Sequence, residues 1–262
     1  MLQEDLLSVY SWCVSNGLSF NITKSFYNIF TRGSDFNLEL VVNGQHLSKI
    51  VFVKDLGVIF DPRLDFKEHL SFAVSKALRK LFFVLRQSRV FKRPGTIVHL
   101  FKSLVVPSLL YASVVWRPFF VIDSAKVERI QHVFSRSLAA KCNNPMSPID
   151  HDYSPLMLEH GLLSMDELAT YSDLVFFHKV VNGIADVPGL LELVNLRVPA
   201  RLTRNISDRF YLSSEYRNFY RRSVICRLSM LGNRLPTEVD IFNLSVFKFK
   251  SLLLGGVLKE MI

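Results

Sequence analysis

The sequence has few cysteines and no long uncharged stretch. Cys13, Cys142 and Cys226 are odd in number and far apart, which argues against a disulfide framework or a clustered zinc site. The longest uncharged segment is residues 6–23, and a second one, residues 103–116, contains Pro107. Both are shorter than the roughly 20 residues that a membrane-spanning helix needs. The first residues carry acids where a secretory signal carries basic residues. We therefore expect an intracellular protein, in the nucleus or the cytoplasm, without a membrane span.

Composition and charge are more informative. Hydrophobic residues make up 49% of the 262 and charged residues 21%, which predicts a globular chain with one large or two modest domains. Residues 62–141 hold fifteen basic and four acidic side chains. Residues 142–196 hold one basic and eight acidic side chains, and residues 197–262 hold twelve basic and five acidic ones. A basic block of this size favours a polyanionic partner. On charge alone, solvated side chains on ordinary helices are an equally good explanation.

The first quarter of the chain mixes a helix with short strands. Apolar residues at helical spacing predict an amphipathic helix over residues 2–15, and Asn16-Gly17 is a plausible stop. Four runs rich in β-branched and aromatic residues follow. They predict a small antiparallel sheet over residues 25–60, and Asn43-Gly44 between two runs is a strong hairpin signal because both turn positions need positive φ.

The remainder has the periodicity of helices. An apolar stripe begins at Leu70 and predicts a helix that ends near Val90. A second helical stretch starts near Thr96 with a bend at Pro107, and a third runs from Ser124, as its N-cap, to Lys141. Residues 142–153 are predicted to form a linker, and residues 165–181 a helix closed by Asn182-Gly183. The fold class is therefore α+β.

Several segments, in order, resemble the reverse transcriptases of non-LTR retrotransposons, in particular the jockey-like group. LQEDL, Trp12-Cys13 with Asn16, and GLSFNITKS resemble the end of the palm in that family, with Phe20 in place of a leucine. VKDLGVIFD resembles the primer-grip hairpin, and LDFKEHL, LVVPSLLYASVVWRP and VERIQHVFSR resemble the thumb. LLELVNLRVPARLTRN, YRNFYRRSVICRLSMLGN and DIFNLSVFKFKSLL resemble the segments after it. Each motif is weak alone, and their order carries the resemblance.

The resemblance implies three regions and a set of contacts with RNA, DNA or their hybrid. Residues 1–61 would be the end of the palm with its primer-grip-like hairpin, 62–145 a helical thumb-like bundle, and 146–262 a mainly helical carboxy-terminal region. Contacts to phosphates would position the duplex without reading its sequence. The residues predicted to bind nucleic acid are Lys54, Gly57, Lys67, Lys76, Arg79, Lys80, Arg86, Arg89, Lys92, Arg93, Arg217, Arg221 and Arg222.

The catalytic centre implied by the family is missing from this sequence. Members hold two Mg²⁺ ions with an earlier aspartate and an Asp-Asp turn, and no Asp-Asp pair occurs in the chain. We expect the turn to belong upstream of Met1, so that the chain is not an enzyme on its own and holds no cofactor. Lys24, the family's candidate general acid, would then be an orphaned turn lysine. Glycine at position 57 could allow a primer backbone to approach closely, or it could belong to a β-bulge in an ordinary strand.

Three functional hypotheses remain open at this stage. The first is a retrotransposon polymerase fragment whose residual role is binding of the template–primer. The second is part of an intact reverse transcriptase active in target-primed reverse transcription. The third is a helical protein-interaction module retained by the host. A degenerate copy of an element, with no selected function, is a further alternative. The sequence leaves the oligomeric state undetermined.

Overall fold

The computed structural model describes residues 1–34, 36–91, 93–142, 152–198, 208–212 and 223–261. The chain forms two compact units, Met1–Ser71 and Phe72–Ile262. Both helices and strands are present, so the α+β class is confirmed. The predicted divisions after residues 61 and 145 stay predictions.

The first unit begins with helix α1, Leu2–Ser15. The predicted bounds of this helix are confirmed, and Gly17 ends it at φ 69° while the Leu18 N–H donates to the Cys13 carbonyl at 2.9 Å. Such a left-handed stop satisfies carbonyls that the last turn of a helix leaves free. The Gln3 side chain holds α1 to the next strands, since it donates to the Val41 carbonyl at 2.7 Å and accepts from the Val41 N–H at 3.0 Å.

Six short strands form three separate pairs in the described part of this unit. Two pairs are antiparallel, as predicted, and the Asn43-Gly44 hairpin is confirmed, with φ of 49° and 74° at the two turn residues. The third pair is parallel, so the prediction of one antiparallel sheet is corrected at that point. The strands are β1 Phe26–Tyr27, β2 Val41–Val42, β3 Gln45–His46, β4 Ser48–Lys49, β5 Val53–Asp55 and β6 Val58–Phe60, paired as β1 with β4, β2 with β3, and β5 with β6.

Helix α2, Lys67–Gln87, carries the predicted apolar stripe. Ala77, Leu81 and Val84 are buried, in agreement with a period near 3.6 residues. Helix α3, Pro94–Leu100, continues through a wide turn at Phe101–Val105 into α4, Val106–Leu109. Pro107 cannot donate a backbone hydrogen bond, and the wide turn lies just before it at Phe101–Val105. The helix therefore changes its hydrogen-bond pattern where the bend is predicted, and the bend itself stays a prediction.

The remaining helices complete the second unit. Helix α8 has the predicted bounds and a capping box between Ser164 and Glu167. Helix α6 starts at Val121 with Phe120 as its N-cap, so the prediction of Ser124 as N-cap was wrong. These helices are α5 Ser113–Trp116, α6 Val121–Lys141, α7 Ser154–Glu159, α8 Met165–Val181, α9 Pro188–Leu191, α10 Val224–Arg234, α11 Val246–Leu252 and α12 Leu258–Met261.

Several aromatic side chains lie in the core of the second unit. The rings of Phe101 and Phe134 stack with centroids 3.9 Å apart. A larger cluster joins α8, α10 and the last helices around Phe177, Phe210 and Phe249, each no more than 1% exposed. Among the described helices, none is both long and apolar enough to cross a membrane.

Candidate nucleic-acid interface

The solvent side of α2 carries a stripe of basic and aromatic side chains. Lys76, Arg79, Phe83 and Arg86 follow one another at spacings of three and four residues, which places them along one face of the helix. All four are exposed, and Phe83 keeps 49% of its surface in solvent. The buried side chains of α2 lie on other faces of the helix. We call these four residues, together with Phe72 one turn earlier, the α2 stripe.

The α2 stripe combines charge with aromatic surface. The Lys76 ammonium lies 6.0 Å from the centroid of the Phe72 ring, at the outer limit of a cation–π contact. Arginine and lysine donate to phosphate oxygens, while aromatic faces accept bases of any sequence. The stripe therefore presents the two kinds of group that sequence-independent nucleic-acid binding uses.

Other basic residues predicted to bind are more scattered. Lys67 is exposed in the first turn of α2, Lys80 is half-buried, and Arg89 and Arg93 are exposed after the helix ends. Lys92, Arg217, Arg221 and Arg222 lie outside the described residues.

The segment predicted to be a primer grip forms a hairpin of strands β5 and β6 in the first unit, and a primer-binding role for it stays a prediction. Lys54 is exposed on β5, opposite Ile59. Leu56 and Gly57 form the turn with φ of 44° and 89°, the signs that a type I′ hairpin turn requires. The turn geometry therefore accounts for glycine at position 57, and the β-bulge alternative is wrong.

A cleft of about 480 Å³ opens beside this hairpin within the first unit. Its lining includes Lys54 and the rings of Phe26, Phe30 and Phe60. The Phe30 and Phe60 rings meet edge to face, with centroids 6.4 Å apart. Residues 1–61 hold more acids than bases, which lowers the attraction of this cleft for a polyanion.

Lys24 lies at the end of a short 3₁₀ turn, Ile22–Lys24. Its side chain is exposed, and its backbone N–H donates to the Asn21 Oδ1 at 3.1 Å. The Thr23 hydroxyl donates to the same oxygen at 2.8 Å. Asn21 therefore stabilises this turn through its side-chain oxygen. A general-acid role for Lys24 stays a prediction.

Carboxylates near the hairpin have local partners. Asp61 accepts hydrogen bonds from the backbone N–H groups of Arg63, Asp65 and Phe66 at 2.6 to 3.1 Å, so this carboxylate stabilises the turn that follows the hairpin. Over the described ranges, no group of three histidine, cysteine, aspartate or glutamate side chains is arranged to hold a metal ion.

Sequence reasoning missed an arginine network in the second unit. Asp173, fully buried on α8, accepts from Arg117 Nη1 at 2.8 Å and from Arg227 Nε at 3.0 Å. Arg117 also donates to Asp166 and to the Thr170 hydroxyl. Burial lowers the pKa of Arg117, but the charges of Asp173 and Asp166 outweigh it and hold that pKa above the ordinary value.

The network is built by α8, whose acids at positions 166 and 173 share a face with Thr170. It lines a cleft of about 400 Å³ that also includes the exposed Arg234. Because Arg117 and Arg227 both pair with Asp173, their charges are largely neutralised inside the protein. No local signal could have revealed the network, since Asp173 lies more than 50 residues from both arginines in the sequence.

Comparison with known proteins gives no match to any family model, any curated protein or any solved structure.

Proposed function

We propose that this chain binds the backbone of an RNA, DNA or hybrid template–primer, in the way of the palm end and thumb of the reverse transcriptases that it resembles. The observation that carries the proposal is the α2 stripe, where Lys76, Arg79 and Arg86 are exposed on one helix face. The basic block of residues 62–141 surrounds it.

The dimensions of the stripe suit a nucleic-acid backbone. Lys76 and Arg86 are ten residues apart, about 15 Å along a helix. A duplex carries one charge per roughly 1.7 Å of axis, so about nine phosphate charges lie within this length. Three cations can therefore each meet a phosphate, and such contacts respond to backbone shape and not to sequence.

Catalysis is outside this proposal. Nucleotide addition would need Mg²⁺ held by paired carboxylates, and the sequence offers no Asp-Asp pair. If an accompanying polypeptide segment supplies those carboxylates, the chain would act within a reverse transcriptase as its grip on the primer and the duplex, and Lys24 could then protonate the leaving pyrophosphate.

The test is a salt titration of duplex binding. Three phosphate contacts predict a contribution of about −2.7 to the slope of log K against log salt on a DNA duplex. Replacing Lys76, Arg79 and Arg86 by glutamine should make the slope shallower by about 2.7, roughly 0.9 per residue. The measurement is fluorescence anisotropy of a labelled RNA–DNA hybrid and a DNA duplex at several salt concentrations.

A matched control uses three other lysines. Replacing Lys248, Lys250 and Lys259 by glutamine removes the same net charge from helices α11 and α12, which are not part of the α2 stripe. This variant should retain nearly the full slope. Equal slopes for both triple variants would show that only net charge matters, and salt-insensitive binding by the unaltered protein would refute phosphate contacts altogether.

A further inference from the structure

A second cleft in the second unit, distinct from the α2 stripe, has the features of a ligand site. It has a volume of about 510 Å³ and lies between α6 and the start of α7. Its lining includes Arg129, Gln131, His132, Ser135 and Tyr153. The cleft is therefore walled by one long helix and by the first residues that the structure describes after position 151.

Two buried polar side chains on α6 form the inner wall. Gln131 is 2% exposed and Ser135 is fully buried, and they lie one helical turn apart. The Gln131 amide donates to the Leu163 carbonyl at 2.7 Å, which leaves its Oε1 as an acceptor. Neither Gln131 Oε1 nor Ser135 Oγ has a hydrogen-bond partner in the part of the chain that the structure describes. Buried groups of this kind are costly unless a water or a ligand satisfies them.

Aromatic rings and positive charge form the outer wall. Tyr153 is half-buried, and its ring meets His132 edge to face with centroids 5.0 Å apart. Arg129 is exposed at the rim, and Arg136 is exposed on the same helix two turns further on. The two carboxylates in the lining have backbone partners: Glu128 accepts from the Asp166 N–H at 2.8 Å and Asp152 from the Ser154 N–H at 2.9 Å.

We propose that this cleft takes one unpaired nucleobase from a bound single strand, which rests on the proposed function. The ring of the base would stack on Tyr153, and its amino or ring N–H group would donate to Gln131 Oε1. The phosphate beside it would lie near Arg129. A nucleotide is the ligand class that offers a flat ring, an N–H donor and a negative charge together.

The experiment compares two probes of equal charge on the full chain. One is a labelled oligodeoxyadenylate, and the other has the same length with an abasic site in place of every base. Stacking of one base predicts that Tyr153→Leu weakens binding of oligodeoxyadenylate between about fivefold and about 150-fold. Affinity for the abasic probe should not change, because phosphate contacts remain.

Two variants serve as controls. Tyr153→Phe keeps the ring and should keep the preference for the base-bearing probe. Tyr211→Leu removes another exposed tyrosine outside the cleft and should leave both affinities unaltered. Circular dichroism checks that each variant is folded.

The outcomes separate this inference from the function on which it rests. If the unaltered protein binds both probes equally, or Tyr153→Leu weakens both by the same factor, the nucleobase site is refuted while phosphate binding stands. If the protein binds neither these probes nor the duplexes, the proposed function fails and the nucleobase site fails with it.

Discussion

Replacing Asp173 by asparagine should destabilise the second unit more than any surface change. The side chain is fully buried and is shared by Arg117 and Arg227. Asparagine keeps the size but removes the charge and presents an NH₂ group to guanidinium donors. Loss of one partner from a buried ion pair costs about 3–5 kcal/mol. We expect the free energy of unfolding to fall by about 3 kcal/mol, the lower end of that range. The reason is that both arginines keep other acceptors: Arg117 keeps Asp166 and Thr170, and Arg227 keeps the Val114 carbonyl.

The assay is urea unfolding followed by circular dichroism. With a slope of roughly 3 kcal/mol per M, a loss of about 3 kcal/mol lowers the midpoint by about 1 M. Asp166→Asn is the matched control, since it removes a carboxylate from the same arginine at a side chain that is 52% exposed. Exposed pairs contribute about 0–1 kcal/mol, so this midpoint should hardly move.

The reasoning fails if Asp173→Asn costs less than about 1 kcal/mol, the upper value for an exposed pair. A further variant tests whether the whole network makes a net contribution to the free energy of unfolding. Replacing Arg117, Asp173 and Arg227 together by methionine, leucine and methionine should recover most of the lost stability, because apolar side chains of similar volume often substitute for a buried ion network. A triple variant no more stable than Asp173→Asn would contradict that explanation.

Two other changes are predicted from the structure. Gly232→Ala should lower the free energy of unfolding by about 1–3 kcal/mol through overpacking, because the added Cβ would lie 2.6 Å from the buried Phe210 ring. Gly189→Ala is its control, since open space surrounds that position, and it should be neutral in the same urea assay. Unfolding free energy should fall as pH drops below about 6.5, because burial lowers the pKa of His69 and His178 in the folded state, so the unfolded chain binds more protons there. Urea midpoints that are the same at neutral pH and at pH values below 6.5 would contradict this.

Local patterns predicted the helices well and the strand pairings less well. The bounds of α1 and α8 follow from apolar spacing and a glycine stop, both of which act within a few residues. Asn43-Gly44 forms its hairpin for the same reason. The parallel pairing of β1 with β4 has no such local signal, since it depends on which distant segment supplies the partner.

The start of α6 shows that a good local signal does not always set a helix boundary. Ser124 has the preferred chemistry of an N-cap, yet the helix begins at Val121 and Ser124 lies inside its first turn. Asp123 occupies the first turn as well, where a carboxylate interacts favourably with the helix dipole. Buried Val127 and Ile130 remain on the predicted face, so the error shifts the boundary and leaves the core unchanged.

The glycine of the hairpin and the basic residues of the chain differ in how strongly they support nucleic-acid binding once their surroundings are known. Gly57 is required by a left-handed turn, so its identity alone carries no information about a primer, and contact there stays a prediction. Arg117 and Arg227 contribute to the basic total but are paired with Asp173 inside the protein. Lys76, Arg79 and Arg86 stand on an exposed helix face, and the buried side of the same helix needs none of their charges to pack. Among the basic residues that the structure describes, these three therefore carry the strongest argument for a polyanionic partner, and the salt slope should respond to them before it responds to the net charge of the chain.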